Sequence, residues 1–321
     1  MWQIIGDIHI DSKEETIQEK INNLRNMLNN DYNNVILLGD VFHIRNHVST
    51  FAINLLQNLF EEFKDKHFYI IVGNHDCKYK NTLHPNSIET CLGWIKNVTV
   101  IDKPTNIDNF LLIPWICDLN YIDCIDAIKK SKQKYCCGHF AINTFLMTRG
   151  IECRSSLKIS DFDHFEKVFS GHFHLRQEKK NIIYVGSTTQ ETWTDYQDQK
   201  GYYVVDKDVK FIEGPKQIYK HLVLDDNKTK FKLDDYSDCH IKIYHSDKLS
   251  KKQFDMIEEL KLIIRSYQIF DETNIDIKEV KFEKIEFSEM LTEFFNEQEE
   301  MENDFKTNIM NYLIMKHKEI G

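Results

Sequence analysis

Metal-capable side chains recur along the first half of this chain at the points where short apolar runs end. Each of the five places begins with a glycine followed by aspartate, asparagine or histidine: Gly6-Asp7-Ile8-His9, Gly39-Asp40, Gly73-Asn74-His75-Asp76, Gly138-His139 and Gly171-His172-Phe173-His174. Together they offer three Asp or Asn oxygens and four imidazoles, with His75 in addition. Donors of this number and type are sufficient to hold two metal ions side by side. The pattern predicts a dinuclear centre that hydrolyses phosphoesters.

The chemistry of such a centre also indicates which metal it holds. Phosphodiester hydrolysis needs a nucleophile at neutral pH and neutralisation of the phosphate charge, and two ions about 3.5 to 4 Å apart supply both. Mixed imidazole and oxygen ligands favour manganese, iron or zinc over calcium, and the absence of cysteine from every motif weighs against zinc. We therefore expect two divalent ions, with Mn²⁺ as the first choice.

The elements that must position these residues alternate between short strands and amphipathic helices. The sequence predicts helices over 16–28 and 50–63, and strands over 2–5, 35–38, 68–72, 110–113, 134–137, 168–170, 182–185 and 202–205. This alternation predicts a layered α/β fold. In open α/β sheets, ligands bind beyond the carboxyl ends of the strands. All five motifs occupy that position, so one rim is expected to gather them.

The bulk properties limit the functional classes. A net charge of −10 argues against a broad basic surface for nucleic acid. It is compatible with a nuclease, because two divalent ions add positive charge where a phosphodiester binds. The sequence contains no apolar stretch long enough for a membrane span and no readable signal peptide, so we expect a cytoplasmic location, in the host if the protein is viral. Eight cysteines without CxxC spacing are expected to be reduced thiols.

The character of the chain changes after Gly214-Pro215. Residues 216–284 are expected to form a small α+β unit, in which a capping box at Ser250 opens a helix. The apolar stripe of that helix is predicted to contain Phe254, Ile257, Leu260 and Ile264. Residues 285–321 are expected to form a helical tail. Its apolar faces suit either a partner groove or its own domain. The predicted domains are therefore 1–215, 216–284 and 285–321.

At the five motifs the chain resembles the calcineurin-like metallophosphoesterase superfamily. More narrowly, it is similar to the SbcD-type nuclease subunits of DNA double-strand-break repair, including their phage recombination counterparts. The narrower resemblance rests on Gly39-Asp40-Val41-Phe42-His43, since phosphatases of the superfamily have an aspartate where this chain has His43. The resemblance implies an α/β four-layer sandwich of two sheets flanked by helices, followed by a small capping domain and a C-terminal helical tail.

The resemblance also implies a role for each motif residue. One ion would be held by Asp7, His9 and His174, the other by Asn74, His139 and His172, and both by Asp40. His75 would protonate the leaving oxygen and Asp76 would orient its imidazole. His43 would help to place the phosphate. The alternative for His43 is a solvated histidine at the start of a helix.

The function implied by the resemblance is that of a metal-dependent DNA nuclease, exonuclease or endonuclease, in recombination and double-strand-break processing. Its partners would be DNA, an SbcC-type coiled-coil ATPase bound through the tail, and a second copy of the chain. Two alternatives remain open. One keeps the chemistry but acts on a small phosphodiester or a phosphoprotein. The other is a non-catalytic scaffold that positions the ATPase on DNA.

Overall fold

The computed structural model describes residues 1–10, 14–45, 47–224, 232–245 and 249–271. The chain divides into one unit, Met1–Phe270, and another, Asp271–Gly321. The predicted tail, 285–321, and residues 272–284 of the predicted capping domain lie outside the described residues. The domain boundaries at 215 and 284 therefore stay predictions.

Within the described ranges, five α-helices and seventeen strands alternate along the chain. The helices are α1 (Glu14–Leu28), α2 (Thr50–Glu62), α3 (Ser87–Leu92), α4 (Tyr121–Lys130) and α5 (Lys251–Lys261). The strands are β1 (Trp2–Ile5), β2 (Asn34–Leu37), β3 (His67–Ile71), β4 (Val98–Ile101), β5 (Thr105–Ile107), β6 (Phe110–Ile113), β7 (Tyr135–His139), β8 (Leu146–Thr148), β9 (Ile151–Glu152), β10 (Lys167–Gly171), β11 (Gln177–Lys179), β12 (Ile182–Tyr184), β13 (Gly201–Val205), β14 (Val209–Glu213), β15 (Tyr219–Leu224), β16 (His240–His245) and β17 (Ser266–Asp271).

Two six-stranded sheets form the centre of the fold. The first has the order β14-β13-β1-β2-β3-β4 and is parallel from β1 to β4. The second has the order β11-β12-β10-β7-β6-β5 and is parallel from β12 to β6. Because parallel strands point the same way, the carboxyl ends of β1, β2 and β3 lie along one edge of the first sheet, and those of β7 and β10 along one edge of the second.

The packing of these sheets produces four layers. The core between the sheets draws alternate residues from both, including Trp2, Ile4, Ile36, Ile71, Phe110, Leu112, Cys137 and Phe169. Helices α1 to α3 cover the outer face of the first sheet through residues such as Ile17, Leu24, Leu56, Phe60 and Ile88. Helix α4 covers the second sheet through Cys124 and Ile128. The predicted α/β sandwich of two sheets flanked by helices is confirmed.

A small α+β unit follows β14, the last strand of the first sheet along the chain. Strands β15, β16 and β17 form a three-stranded sheet, and α5 packs on one face of it through Ile257 and Leu260. Ser250 caps α5 as predicted, and its hydroxyl accepts from the backbone N–H of Gln253 at 3.3 Å. The predicted apolar stripe was wrong at Phe254, which is 56% exposed. At 100° per residue, Phe254 lies well to the side of Ile257 and Leu260, so the buried Gln253 takes the inward position.

Among the described residues, no helix has both the length and the apolar character that spanning a membrane requires.

Candidate metal centre

All five motifs lie at the ends of strands. Asp7 and Asp40 follow β1 and β2, and Asn74 follows β3, whereas His139 ends β7 and His172 follows β10. Two hydrogen bonds join the two sheet edges directly. The backbone N–H of His172 donates to Asp7 Oδ2 at 2.9 Å, and His139 Nδ1 donates to the Leu38 carbonyl at 2.8 Å. The predicted common rim therefore exists, and both sheets contribute to it.

One group of donors consists of Asp7, His9 and His174. Their donor atoms lie within 4.8 Å of one another, which is close enough for a single ion. The Nε2 atoms of His9 and His174 are 2.9 Å apart, and His9 Nε2 is 3.9 Å from Asp7 Oδ2. These are the three residues expected to share one metal.

A second group consists of Asn74, His139 and His172, next to Asp40. Asn74 Oδ1 lies 2.9 Å from His139 Nε2 and 2.8 Å from His172 Nδ1. Asp40 Oδ2 is 3.3 Å from His139 Nε2 and 3.6 Å from His9 Nε2. The carboxylate of Asp40 therefore faces both groups, which is the position that a bridging ligand needs.

The electrostatics of the cluster fit a pair of cations. Burial lowers the pKa of His9 and of His174, and lowers the pKa of His172 to about 3, so these imidazoles are neutral with lone pairs available. Burial, with repulsion from Asp40, raises the pKa of Asp7 to about 8. At His139, burial opposes protonation but Asp40 outweighs it and raises the pKa to about 9. The buried carboxylates thus require positive charge, which divalent ions supply.

The backbone at the donors is held in an uncommon conformation. The φ angles of His9, Asp40 and His172 are 50°, 48° and 88°. These angles lie in the left-handed region, which residues other than glycine rarely adopt. Hydrogen bonds maintain this geometry, since the carbonyl of Asp40 accepts from the His9 N–H at 2.9 Å. Strain of this kind persists where surrounding structure fixes it, and it clusters at functional sites.

At two of the motif glycines a carboxylate lies so close to the backbone that there is no space for a side chain. A Cβ on Gly73 would overlap the carboxylate of Asp40, and a Cβ on Gly171 would overlap the carboxylate of Asp7. Gly73 therefore makes room for a carboxylate that follows the adjacent strand β2, and Gly171 for a carboxylate that follows β1 in the other sheet.

The imidazoles of His43 and His75 lie beside the donors. Their rings are stacked with centroids 5.6 Å apart and an interplanar angle of 9°. His75 Nδ1 donates to the carbonyl of His43 at 2.8 Å, so Nε2 is the nitrogen that can exchange a proton. His43 Nδ1 lies 3.1 Å from His9 Nδ1. His43 is itself exposed, which places it between a candidate ligand and the solvent.

The position of Asp76 corrects a prediction. Asp76 was expected to orient the imidazole of His75, but its carboxylate accepts from the backbone N–H groups of Gly73 at 2.9 Å and Phe42 at 3.2 Å. The carbonyl of His43 contacts His75 Nδ1 instead. The side chain of Asp76 is buried between the loops that follow β2 and β3 and joins them.

Two buried lysines near the donors were not found from the sequence. Lys20 Nζ donates to the His9 carbonyl at 2.6 Å and to Glu191 at 2.9 Å. Lys200 Nζ donates to the His174 carbonyl at 2.8 Å and pairs with Asp195 and Asp198. Lys20 could have been noticed, because it interrupts the apolar stripe of α1 between Ile17 and Ile21. Lys200 had no such signal.

One aromatic residue beside the second donor group was also missed. The ring of Trp115 lies 4.9 Å from that of His172 and 5.8 Å from that of His139. Its backbone N–H donates to the Val72 carbonyl at 2.8 Å, which fixes it to the end of β3. Trp115 therefore packs against two candidate ligands.

The fold and the donor set together define a calcineurin-like phosphoesterase. Residues 4–211 match that family, to which the chain belongs, so the predicted family and the predicted class of metal-dependent phosphoesterase are confirmed.

Among individual relatives, the chain is 26% identical over 266 residues to Exonuclease subunit 1 of Enterobacteria phage T4, covering 80% of this chain and 78% of that protein. It is 28% identical over 245 residues to the putative phosphoesterase 244L of Invertebrate iridescent virus 6, covering 73% and 86%. The crystal structure of Pseudomonas putida nuclease MPE is also similar, with a TM-score of 0.32 and 15% identity over 63% of this chain and 84% of that one.

Proposed function

We propose that this protein is a metal-dependent DNA nuclease subunit that hydrolyses phosphodiester bonds in DNA recombination and double-strand-break processing. The observation that carries the proposal is the convergence of seven donor side chains at the joined edges of two sheets. The similarity to a phage protein named as an exonuclease subunit, over most of both chains, supports DNA as the substrate.

In this proposal the two donor groups would hold two divalent ions. One would be held by Asp7, His9 and His174 and the other by Asn74, His139 and His172, with the carboxylate of Asp40 facing both groups. Bound there, the ions would supply a nucleophile at neutral pH and neutralise the charge of the scissile phosphate. Nitrogen and oxygen donors without a thiolate support manganese as the physiological metal.

The remaining chemistry belongs to the chain itself. His75 gives a proton from Nε2 to the leaving oxygen, because Nδ1 is engaged by the His43 carbonyl. The exposed imidazole of His43 holds the phosphate beside His9. Asp76 positions His43 and His75 indirectly, because its carboxylate joins the loops after β2 and β3 that carry these two histidines.

The test is a linear DNA duplex incubated with the protein and Mn²⁺, alone and with an ATPase partner. We expect cleavage by the wild-type protein and by Asp65→Ala, an exposed control, and none by Asp40→Ala. Absence of wild-type cleavage under both conditions would overturn the proposal, as would full cleavage by Asp40→Ala. Hydrolysis of a chromogenic phosphodiester without any DNA cleavage would favour the non-DNA alternative.

We further propose that the protein acts in the cytoplasm as a homodimer with an SbcC-type coiled-coil ATPase, bound by residues 285–321. The relative from phage T4 is named as a subunit, which supports an assembly. Deletion of residues 288–321 should spare hydrolysis of the chromogenic phosphodiester and abolish co-purification with the ATPase. Unchanged co-purification would refute the binding role of the tail, and a monomeric mass by light scattering would refute the dimer.

A further inference from the structure

One face of the small three-stranded sheet carries an unusual set of side chains. The register pairs Tyr219 with His240, His221 with Lys242, and Val223 with Tyr244. Since side chains alternate along a strand, these residues share one face, and residues such as Leu222 and Ile241 lie on the opposite face with α5. We refer to the first as the aromatic face. Its β17 members are Ser266, Gln268 and Phe270, as the bond from His240 Nδ1 to Ser266 Oγ at 2.7 Å shows.

The rings on the aromatic face form a continuous row. His221 stacks on Tyr196, from the preceding loop, with centroids 3.8 Å apart, and lies 5.0 Å from Tyr244. Tyr244 stacks in turn on Phe270 at 5.1 Å. Trp193 joins the row at its start, 5.8 Å from His221. The row therefore crosses all three strands, and its rings are only half-buried.

The charge of this face differs from that of the whole chain. The nine positions that define it contain one lysine, two histidines and no carboxylate: Tyr219, His221, Val223, His240, Lys242, Tyr244, Ser266, Gln268 and Phe270. Lys242 Nζ lies 4.4 Å from the ring centroid of Trp193 and 5.9 Å from that of Phe270. In a chain with a net charge of −10, a face whose own nine positions combine rings with a cation and contain no acid favours an anionic, ring-containing partner.

The aromatic face is connected to the metal centre through one loop. Lys200 binds the carbonyl of His174 and the carboxylate of Asp195. Asp195 ends the 3-10 helix Trp193–Asp195, whose first residue begins the row of rings. Lys200 and the Trp193–Asp195 helix therefore link the carbonyl of a candidate ligand to the first ring of the row.

We propose that the aromatic face binds single-stranded nucleic acid, with unpaired bases stacked on the row of rings and a phosphate beside Lys242. Stacking on aromatic side chains is tolerant of sequence because every base has a π-face, and paired bases in a duplex do not offer theirs. The inference deepens the proposed nuclease function, since it assigns the place where an unpaired strand of the substrate lies.

Binding is measured in EDTA, so that no cleavage takes place, with a fluorescein-labelled oligothymidylate followed by anisotropy. We expect Tyr244→Ala to weaken binding about tenfold and Tyr244→Phe to retain it, because the ring and not the hydroxyl stacks. Lys242→Gln should weaken binding and reduce its dependence on salt. Tyr267→Ala is the matched control. Tyr267 is 41% exposed. It lies between Ser266 and Gln268, so the alternation of side chains places it on the opposite face of β17, where its ring is next to Lys261.

Wild-type affinity in both Tyr244→Ala and Lys242→Gln would overturn the inference, as would an equal loss for Tyr267→Ala. The inference would also be overturned if these two variants lost as much affinity for a duplex of the same length as for the single strand. Phosphate contacts alone would then explain the binding. Cleavage in Mn²⁺ is scored separately. A protein that binds the single strand through Tyr244 but never cleaves DNA keeps this inference and refutes the proposed nuclease.

Discussion

At the metal centre, the imidazoles are oriented through the nitrogen that faces away from the other donors. His139 Nδ1 donates to the carbonyl of Leu38, and His75 Nδ1 donates to the carbonyl of His43. Each bond fixes a tautomer and leaves Nε2 for a metal or a proton. In both bonds the partner is a backbone carbonyl and not a carboxylate.

Replacement of His75 by alanine tests its assigned role. The variant should keep its metal content, because His75 is assigned to proton transfer, and should lose roughly 100- to 10,000-fold in turnover. Metal content is measured by elemental analysis and turnover with a chromogenic phosphodiester in Mn²⁺. Loss of metal from the variant would show that His75 is a ligand instead.

Replacement of Asp76 by alanine tests the corrected position of that residue. Two buried backbone N–H groups, those of Gly73 and Phe42, would lose their acceptor, so we expect a loss of about 2 kcal/mol or more in the free energy of unfolding. Urea denaturation measures the change, and the exposed Asp65→Ala serves as the control. If Asp76→Ala unfolds at the wild-type urea concentration, the carboxylate does not hold the two loops together.

At the scale of elements, the donors depend on parts of the chain that contribute no ligand. Helix α1 brings Lys20 to the carbonyl of His9, and the segment before β13 brings Lys200 to the carbonyl of His174. His9 and His174, whose carbonyls the lysines contact, belong to the same donor group. Buried ion pairs with Glu191, Asp195 and Asp198 hold the two lysines in place. One half of the metal centre is thus braced by a polar network that the other half lacks among the residues described.

Replacement of Lys20 by methionine should weaken only one of the two metal positions. Methionine keeps the length and helix propensity of lysine but does not donate to the His9 carbonyl. We expect about 10- to 100-fold lower affinity for one equivalent of Mn²⁺ and an unchanged second equivalent, measured by titration calorimetry. Lys129→Met, on the exposed side of α4, is the control. Equal weakening of both equivalents would mean that Lys20 supports the whole fold and not one position.

At the scale of the whole molecule, the metal centre lies where the edges of the two sheets meet, and its hydrogen bonds help to join them. Their common core is apolar, but at the rim the carboxylates of Asp7 and Asp40 are buried with imidazoles from both sheets. Without cations, burial, together with repulsion from Asp40, raises the pKa of Asp7 to about 8. Metal binding should therefore stabilise the association of the sheets.

Metal removal tests this coupling. At a free Mn²⁺ concentration 100 times the dissociation constant, one site adds about 2.7 kcal/mol, which corresponds to a rise of roughly 4 °C in the unfolding midpoint of a chain of 321 residues. Differential scanning calorimetry with EDTA and with Mn²⁺ measures the rise. Asp40→Asn should abolish most of it. A midpoint that is the same with and without Mn²⁺ would contradict the coupling.

Most of the fold could be predicted from local patterns, and the gaps have physical causes. The predicted strands and the helices α1 and α2 agree with the structure within a few residues, because each has a clear apolar period. Helices α3 and α4 were not predicted: α3 has only six residues, and α4 buries only Cys124 and Ile128. Phe254 was assigned to the apolar stripe because it is apolar, but at 100° per residue it lies to the side of the buried Ile257 and Leu260.

The sequence by itself determined the donor types, their order along the chain and their positions at strand ends, since these depend on residue identity and on the short apolar run before each motif. Only the tertiary structure decided which groups meet. The His43 carbonyl that orients His75, the Phe42 amide that donates to Asp76, and the lysines that donate to the His9 and His174 carbonyls all belong to contacts between different elements of the fold. The packing of two sheets sets such contacts, and no local period of the sequence encodes them.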